Sequence, residues 1–267
     1  MKKGVMIIAG VVIVIAAILF VLVLSNLGHV IKTAVNTYGP KITKTEVHLS
    51  DVNVSLLSAQ AEIKKFYLGN PSKFKSPEAI TAKSIYIDMN EKSLLEDPII
   101  IERIEVVAPE ITYEKTNGTD NFQAILNNIK RTAGKEKASE KKSGGRGKGR
   151  KIIIKDFILR DGKIKLVTSI LGGGEISSPL PNIYLRNIGQ KEGGASPAEA
   201  LKEIFTTLYT KIVSPEVTNV LNSQLKELGS NIDATGKDIA KQVGTAGEVV
   251  KKEANTLKDK IKGLLGD

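Results

Sequence analysis

The chain of 267 residues contains no cysteine and no tryptophan, and aromatic residues amount to only 4%. Without cysteine there is no disulfide, no thiol nucleophile and no thiolate metal site, whatever the compartment. The scarcity of aromatic rings argues against stacking platforms for sugars or single-stranded nucleic acid. His29 and His48 are the only histidines. Neither has a carboxylate or a second histidine at ligand spacing, so both read as structural or surface residues. Glu102 and Glu105 are predicted on opposite faces of one strand and form no paired-carboxylate site. The run GGRGKGRK fails as a phosphate loop, because Lys148 is followed by Gly149 and not by Ser or Thr. The expectation is a protein that is not an enzyme and carries neither cofactor nor metal.

A long apolar run is present. Val5 to Leu24, VMIIAGVVIVIAAILFVLVL, is twenty residues without a charge. As a helix it spans roughly 30 Å, the thickness of a bilayer's hydrocarbon core. A cleaved signal peptide has an apolar run of about 7–15 residues and a small-x-small cleavage site. The run here is longer, and SNLGHV after it offers no convincing site, which predicts an uncleaved anchor along Val5, Ile13, Phe20 and Leu24. Lys2 and Lys3 precede it, and the next cation is Lys32. The positive-inside rule then places residues 1–25 as a cytoplasmic stub and single-pass anchor, with the rest of the chain on the far side.

Downstream, Leu27, Ile31, Ala34, Val35 and Tyr38 follow helical spacing until Gly39-Pro40. The pattern then changes to short alternating runs: Val47 and Leu49; Val52, Val54 and Leu56; Ala59, Ala61 and Ile63; Ile85, Ile87 and Met89; PIIIERIEVV; EITYEK. Gly, Pro and Asn punctuate them densely, which predicts a β-meander and not βαβ units. A short helix is predicted over 121–131, then a basic, low-complexity linker over 132–150 too poor in apolar residues to order itself. Strand pattern returns over 151–190, with Asp161-Gly162 read as a hairpin turn. Over 196–267 the pattern is helical. Ser196-Pro197-x-Glu199 is a start signal, repeated at Ser214-Pro215-Glu216. Val217, Leu228, Ile239, Val250 and Ile261 share one eleven-residue register, and Leu221, Ile232, Val243, Ala254 and Leu265 a second.

The formal charge is +10. Lys130 to Lys151 holds ten basic and two acidic residues, and Lys2 and Lys3 supply the remainder, so the rest of the chain is electrically neutral. Nucleic-acid binding, which a basic chain suggests, also conflicts with export. The linker is either a solvated tether or an anionic-lipid contact through Lys141, Lys142, Arg146, Lys148 and Arg150.

The ordered set of features resembles the N-terminal part of the AsmA-like family of bacterial envelope proteins. It is carried by the anchor, the short helix, and the β-rich segments YGPKITKTEVHLSDVNVSLLSAQAEIKKFYLGNPSKF and AKSIYIDMNEKSLLEDPIIIERIEVVAPEITYEKTNGTDNF. The Leu68–Pro71 LGNP turn, the Ser93–Leu95 step, and Pro109-Glu110-Ile111 followed by Asn117-Gly118 and Asn121 match the family's habit. The resemblance implies an AsmA-like β-rich domain over 26–131, continued over 151–190, in a bacterial inner-membrane protein whose bulk is periplasmic. It implies kinship with bridge-like lipid-transfer proteins, whose sheets curl into an apolar groove. The fold expectation is α+β: a transmembrane helix, a curved antiparallel sheet and C-terminal amphipathic helices. The candidate groove residues are Val54, Leu56, Ile63, Ile85, Ile87, Ile101, Ile104 and Val106. The partners implied are phospholipid or another envelope lipid, the inner membrane and other envelope proteins. About eight strands at 4.8 Å spacing make a groove of roughly 40 Å, too short to bridge two membranes. From the residues alone, a closed core under the C-terminal helices is equally physical, which would make the protein a scaffold or adaptor.

Overall fold

The computed structural model describes residues 27–55, 58–116, 119–142, 150–167 and 176–243, with Asn255, Thr256 and Asp259. The predicted anchor, Val5 to Leu24, lies outside these residues. Among the described residues, no helix is long and apolar enough to cross a membrane.

Among the described residues the architecture is α+β: an open, curved, eleven-stranded sheet with four helices. Helix α1 (Leu27–Thr43) precedes β1 (Val47–His48), β2 (Asp51–Ser55), β3 (Gln60–Gly69) and β4 (Glu78–Met89). A short 3-10 helix, Glu91–Leu95, leads to β5 (Ile99–Val107), β6 (Glu110–Thr116) and β7 (Thr119–Asp120). Helix α2 (Asn121–Lys142) follows, then β8 (Ile152–Arg160), β9 (Lys163–Val167), β10 (Ile176–Pro179) and β11 (Ile183–Ile188). Helices α3 (Pro197–Ile212) and α4 (Pro215–Val243) complete the described fold.

The sheet is mixed, which corrects the antiparallel meander expected from the sequence. β2, β3, β4 and β5 do form antiparallel neighbours. However, β5 pairs with β8 and β6 pairs with β9 in parallel. Parallel neighbours require a crossover, and α2 supplies it between β6–β7 and β8. The predicted hairpin at Asp161-Gly162 is not formed either, since β8 and β9 are not partners of each other. Instead Asp161 (φ 58°) and Ala108 (φ 47°) turn two strands through matching corners. Ala108 N donates to Arg160 O and Lys163 N to Pro109 O, each at 2.9 Å. Each residue of β5–β6 faces the residue 53 positions later, from Ile99↔Ile152 on one side of the corner to Glu114↔Val167 on the other. A left-handed residue bends the chain without reversing it, and Asp-Gly supplies one as readily as it supplies a hairpin.

Two helix limits also differ from expectation. α1 continues through Pro40 to Thr43, where Lys44 (φ 59°) donates to Pro40 O and closes the last turn. Gly28 and Gly39 let this helix lie on the sheet: a Cβ would fall 2.1 Å from Val52 O at the first and 2.8 Å from Val47 Cγ1 at the second. α2 runs to Lys142, so residues 132–142, assigned to the linker, are helical. The reason is tertiary. Ala133 is buried, Thr132 Oγ1 donates to Ile42 O, and Ser196 Oγ donates to Glu136 Oε2. The start of α3 follows its sequence signal, with Ser196 and Glu199 forming a reciprocal capping box. At the far edge, Gln224 of α4 treats Ser177 of β10 as a strand neighbour: its Nε2 donates to Ser177 O at 2.9 Å, and its Oε1 accepts from Ser177 N at 3.3 Å.

The corner yields a stability test. Alanine in the left-handed region is strained by about 1–2 kcal/mol, and glycine is not. Ala108→Gly should therefore raise the urea unfolding free energy by about 0.5–1 kcal/mol, and Ala108→Val should lower it.

Candidate functional site

Strand pairing places most of the predicted groove residues in two rows on one face. Val54, Ala61, Ile87 and Ile104 are successive cross-strand partners, continued by Phe157 and Leu185. Val52, Ile63, Ile85, Val106, Leu159 and Ile183 form the next row. Ile101, three residues from Ile104, packs with the same core through its partner Ile154. The parity is restored by an irregularity shared across strands. Buried positions on β8 are Ile154, Phe157 and Leu159, and on β11 the matching break is Asn187 (φ 59°). Leu56 lies outside the described residues.

Burial grades along this face. Ile63 and Val106 are buried, whereas Val54, Ile85, Ile87, Ile101 and Ile104 are half-buried. Ile31 and Val35 of α1 cover Leu49, Val52 and Ile63. The main core takes Phe122, Ile125 and Ile129 from α2, Phe205, Leu208 and Ile212 from α3, and Val217, Leu221 and Leu225 from α4. The helices thus seal part of the face and leave a half-covered apolar strip across β2, β4 and β5. The opposite face is polar and carries cross-strand ion pairs. Lys155 meets Glu102 at 2.6 Å, and Arg160 meets Glu105 at 2.6 Å. The hydrogen bond from Lys155, reinforced by Asn90, holds the Glu102 carboxyl below its ordinary value.

The basic residues divide. Lys141 and Lys142 end α2, and Arg146 and Lys148 lie outside the described residues. Arg150 is committed locally: its Nη2 donates to Leu94 O at 2.8 Å and to Glu96 O. A pocket of about 260 Å³ lined by Lys44, Asn128, Arg131, Thr132 and Lys135 marks the crossing of α1 and α2. Asn128 and Thr132 there are occupied in holding Thr43 O and Ile42 O. Among the described residues, no group of three His, Asp or Glu is placed to hold a metal. His48 stacks on Tyr67 at 4.5 Å between ring centroids.

A buried polar knot at the start of α2 was not anticipated as a unit. Glu114 is 4% exposed, and its carboxylate accepts from Lys75 N and Ser76 N, each at 2.8 Å. Asn121 is fully buried. Its Nδ2 donates to Asn70 Oδ1 and Thr112 O, and its Oδ1 accepts from Glu114 N. Asn70 in turn donates to Ser76 O and Glu78 O. Asp120 caps α2 through Gln123 N and accepts from Tyr209 Oη at 2.9 Å. Burial, then that hydrogen bond, raises Tyr209 from 10.0 to about 12; burial, then the Asp120 charge, raises Tyr113 further. The sequence clue was the pair of asparagines, Asn70 in the LGNP turn and Asn121 at the helix start, 51 residues apart.

Two measurements follow from the knot. Asn121→Leu leaves Thr112 O and Glu114 N without partners in the interior and should cost about 2–4 kcal/mol in urea unfolding. The raised phenols stabilise the fold fully below pH 10, and their contribution fades as pH rises through about 12. Alkaline unfolding should therefore set in over that window, and Tyr209→Phe should make stability there less dependent on pH.

Compared with known proteins, the chain matches no family model and no curated protein sequence.

Proposed function

We propose that the protein is a single-pass inner-membrane protein of AsmA-like type, held by Val5–Leu24, whose β-domain carries lipid acyl chains along its apolar face in envelope upkeep. The observation that supports this is the half-buried strip of Val54, Ile87, Ile101 and Ile104, aligned across neighbouring strands and incompletely covered by helices. An aligned apolar strip of this kind holds an extended hydrocarbon chain by contact alone, without chemistry. Phospholipid is the expected ligand, and the anchor would deliver the domain to its source.

Site-specific photocrosslinking in the full chain tests the proposal. A photoreactive residue at Ile87 or Ile104 should form adducts with radiolabelled phospholipid in membranes, whereas one at Tyr86 or Tyr184 on the polar face should not. Ile87→Asp should abolish the adduct at Ile104 while the domain stays folded. Ile63→Asp, placing an unpaired charge at a buried site, should destabilise the fold by about 3–5 kcal/mol. Absence of lipid adducts at both strip positions would leave the scaffold reading, with a closed β-domain docking envelope proteins through its C-terminal helices.

A further inference from the structure

The end of the sheet where β4 stops and β5 begins gathers features that the apolar strip does not explain. Leu95, at the tip of the 3-10 helix there, is 96% exposed, and Leu94, Pro98, Ile99 and Ile100 beside it are only half-buried. A single exposed leucine is ordinary. Its position is what matters. α1 runs from Gly28, against Val52, to Gly39, against Val47. Val52 pairs with Ile63 and Val47 with Leu68, so the chain enters α1 heading away from the Leu95 end. The twenty-residue apolar run ends at Leu24, just before that entry.

α2 finishes at the same end. Ser196 Oγ holds Glu136, and Ala195 bridges to Ile152, the first residue of β8, while α2 continues to Lys142. Arg150, across residues 143–149, is clasped onto the carbonyls of Leu94 and Glu96. At the turn itself Glu91, Glu96 and Asp97 balance Lys92, Arg150 and Lys151.

We propose that this end of the sheet docks on a lipid bilayer, with the Leu94–Leu95 turn entering the headgroup layer. The inference rests on the anchoring proposed above, and it adds an orientation: the sheet stands on the membrane by the β4–β5 end. A single inserted turn binds weakly by itself, and the anchor makes the contact effectively intramolecular.

Because the chain lacks cysteine, Leu95→Cys gives one labelling site in the full-length protein. An environment-sensitive fluorophore there is read in vesicles of phosphatidylcholine and phosphatidylglycerol containing nitroxide-bearing lipid as quencher. Ser72→Cys, exposed in the loop between β3 and β4 at the other end, is the reference. Docking predicts several-fold stronger quenching at position 95 than at 72. No quenching at 95, or equal quenching at both positions, overturns it. Vesicle flotation scores anchoring separately. Protein that floats with position 95 unquenched keeps the anchor and sinks the docking; protein quenched at 95 without stable flotation does the reverse.

Discussion

A carboxylate taken out of water must find donors, and Glu114 finds them in the backbone of the loop after β3. That requirement, joined to the buried amide of Asn121, fixes where α2 begins. The rest of the helical layer is registered from this point. Asn128 and Thr132, two and three turns along α2, receive the end of α1, and Glu136 receives the start of α3. A helix tethered at its first residue and touched at each later turn acts as a strut, which explains why the polar-rich stretch 132–142 is helical at all. Intrinsic propensity would not have ordered it alone.

The second constraint is geometric. Two strands joined by a crossover helix keep one register through a bend only if both bend at the same place. Ala108 and Asp161 are those places, 53 residues apart, as the strand register requires. The corner divides the sheet into two leaves, β5–β8–β11 and β6–β9–β10, both reached from β4. Curvature therefore comes from paired left-handed residues, and the apolar face follows it through a switch of side-chain parity, from Val106 to Ile111 on one side and from Leu159 to Ile164 on the other.

Local pattern revealed much of this architecture. Period-two alternation located nearly every strand, and the serine–proline–acid signal located α3. The apolar set Val54, Ile63, Ile85, Ile87, Ile104 and Val106 was legible because side-chain parity depends only on sequence. Strand pairing was not legible, since parallel and antiparallel neighbours present the same alternation. Asp161-Gly162 misled for a related reason: a left-handed residue serves hairpin and corner alike, and only the partner strand decides. The polar knot escaped because its members, Asn70, Glu114 and Asn121, each look like ordinary turn or surface residues. Their meaning arises only when the fold brings them together.

The glutamine that partners Ser177 has a consequence for growth. A β-sheet lengthens by adding strands to a free edge, and on β10 the backbone positions a newcomer would need are already occupied by a side-chain amide imitating one. Further strands could join at that margin only by displacing α4 together with Val217, Leu221 and Leu225, which it buries. The apolar track is thus finite along this margin by its own chemistry. The sheet carries a built-in terminus at a place where continued growth would need a seam.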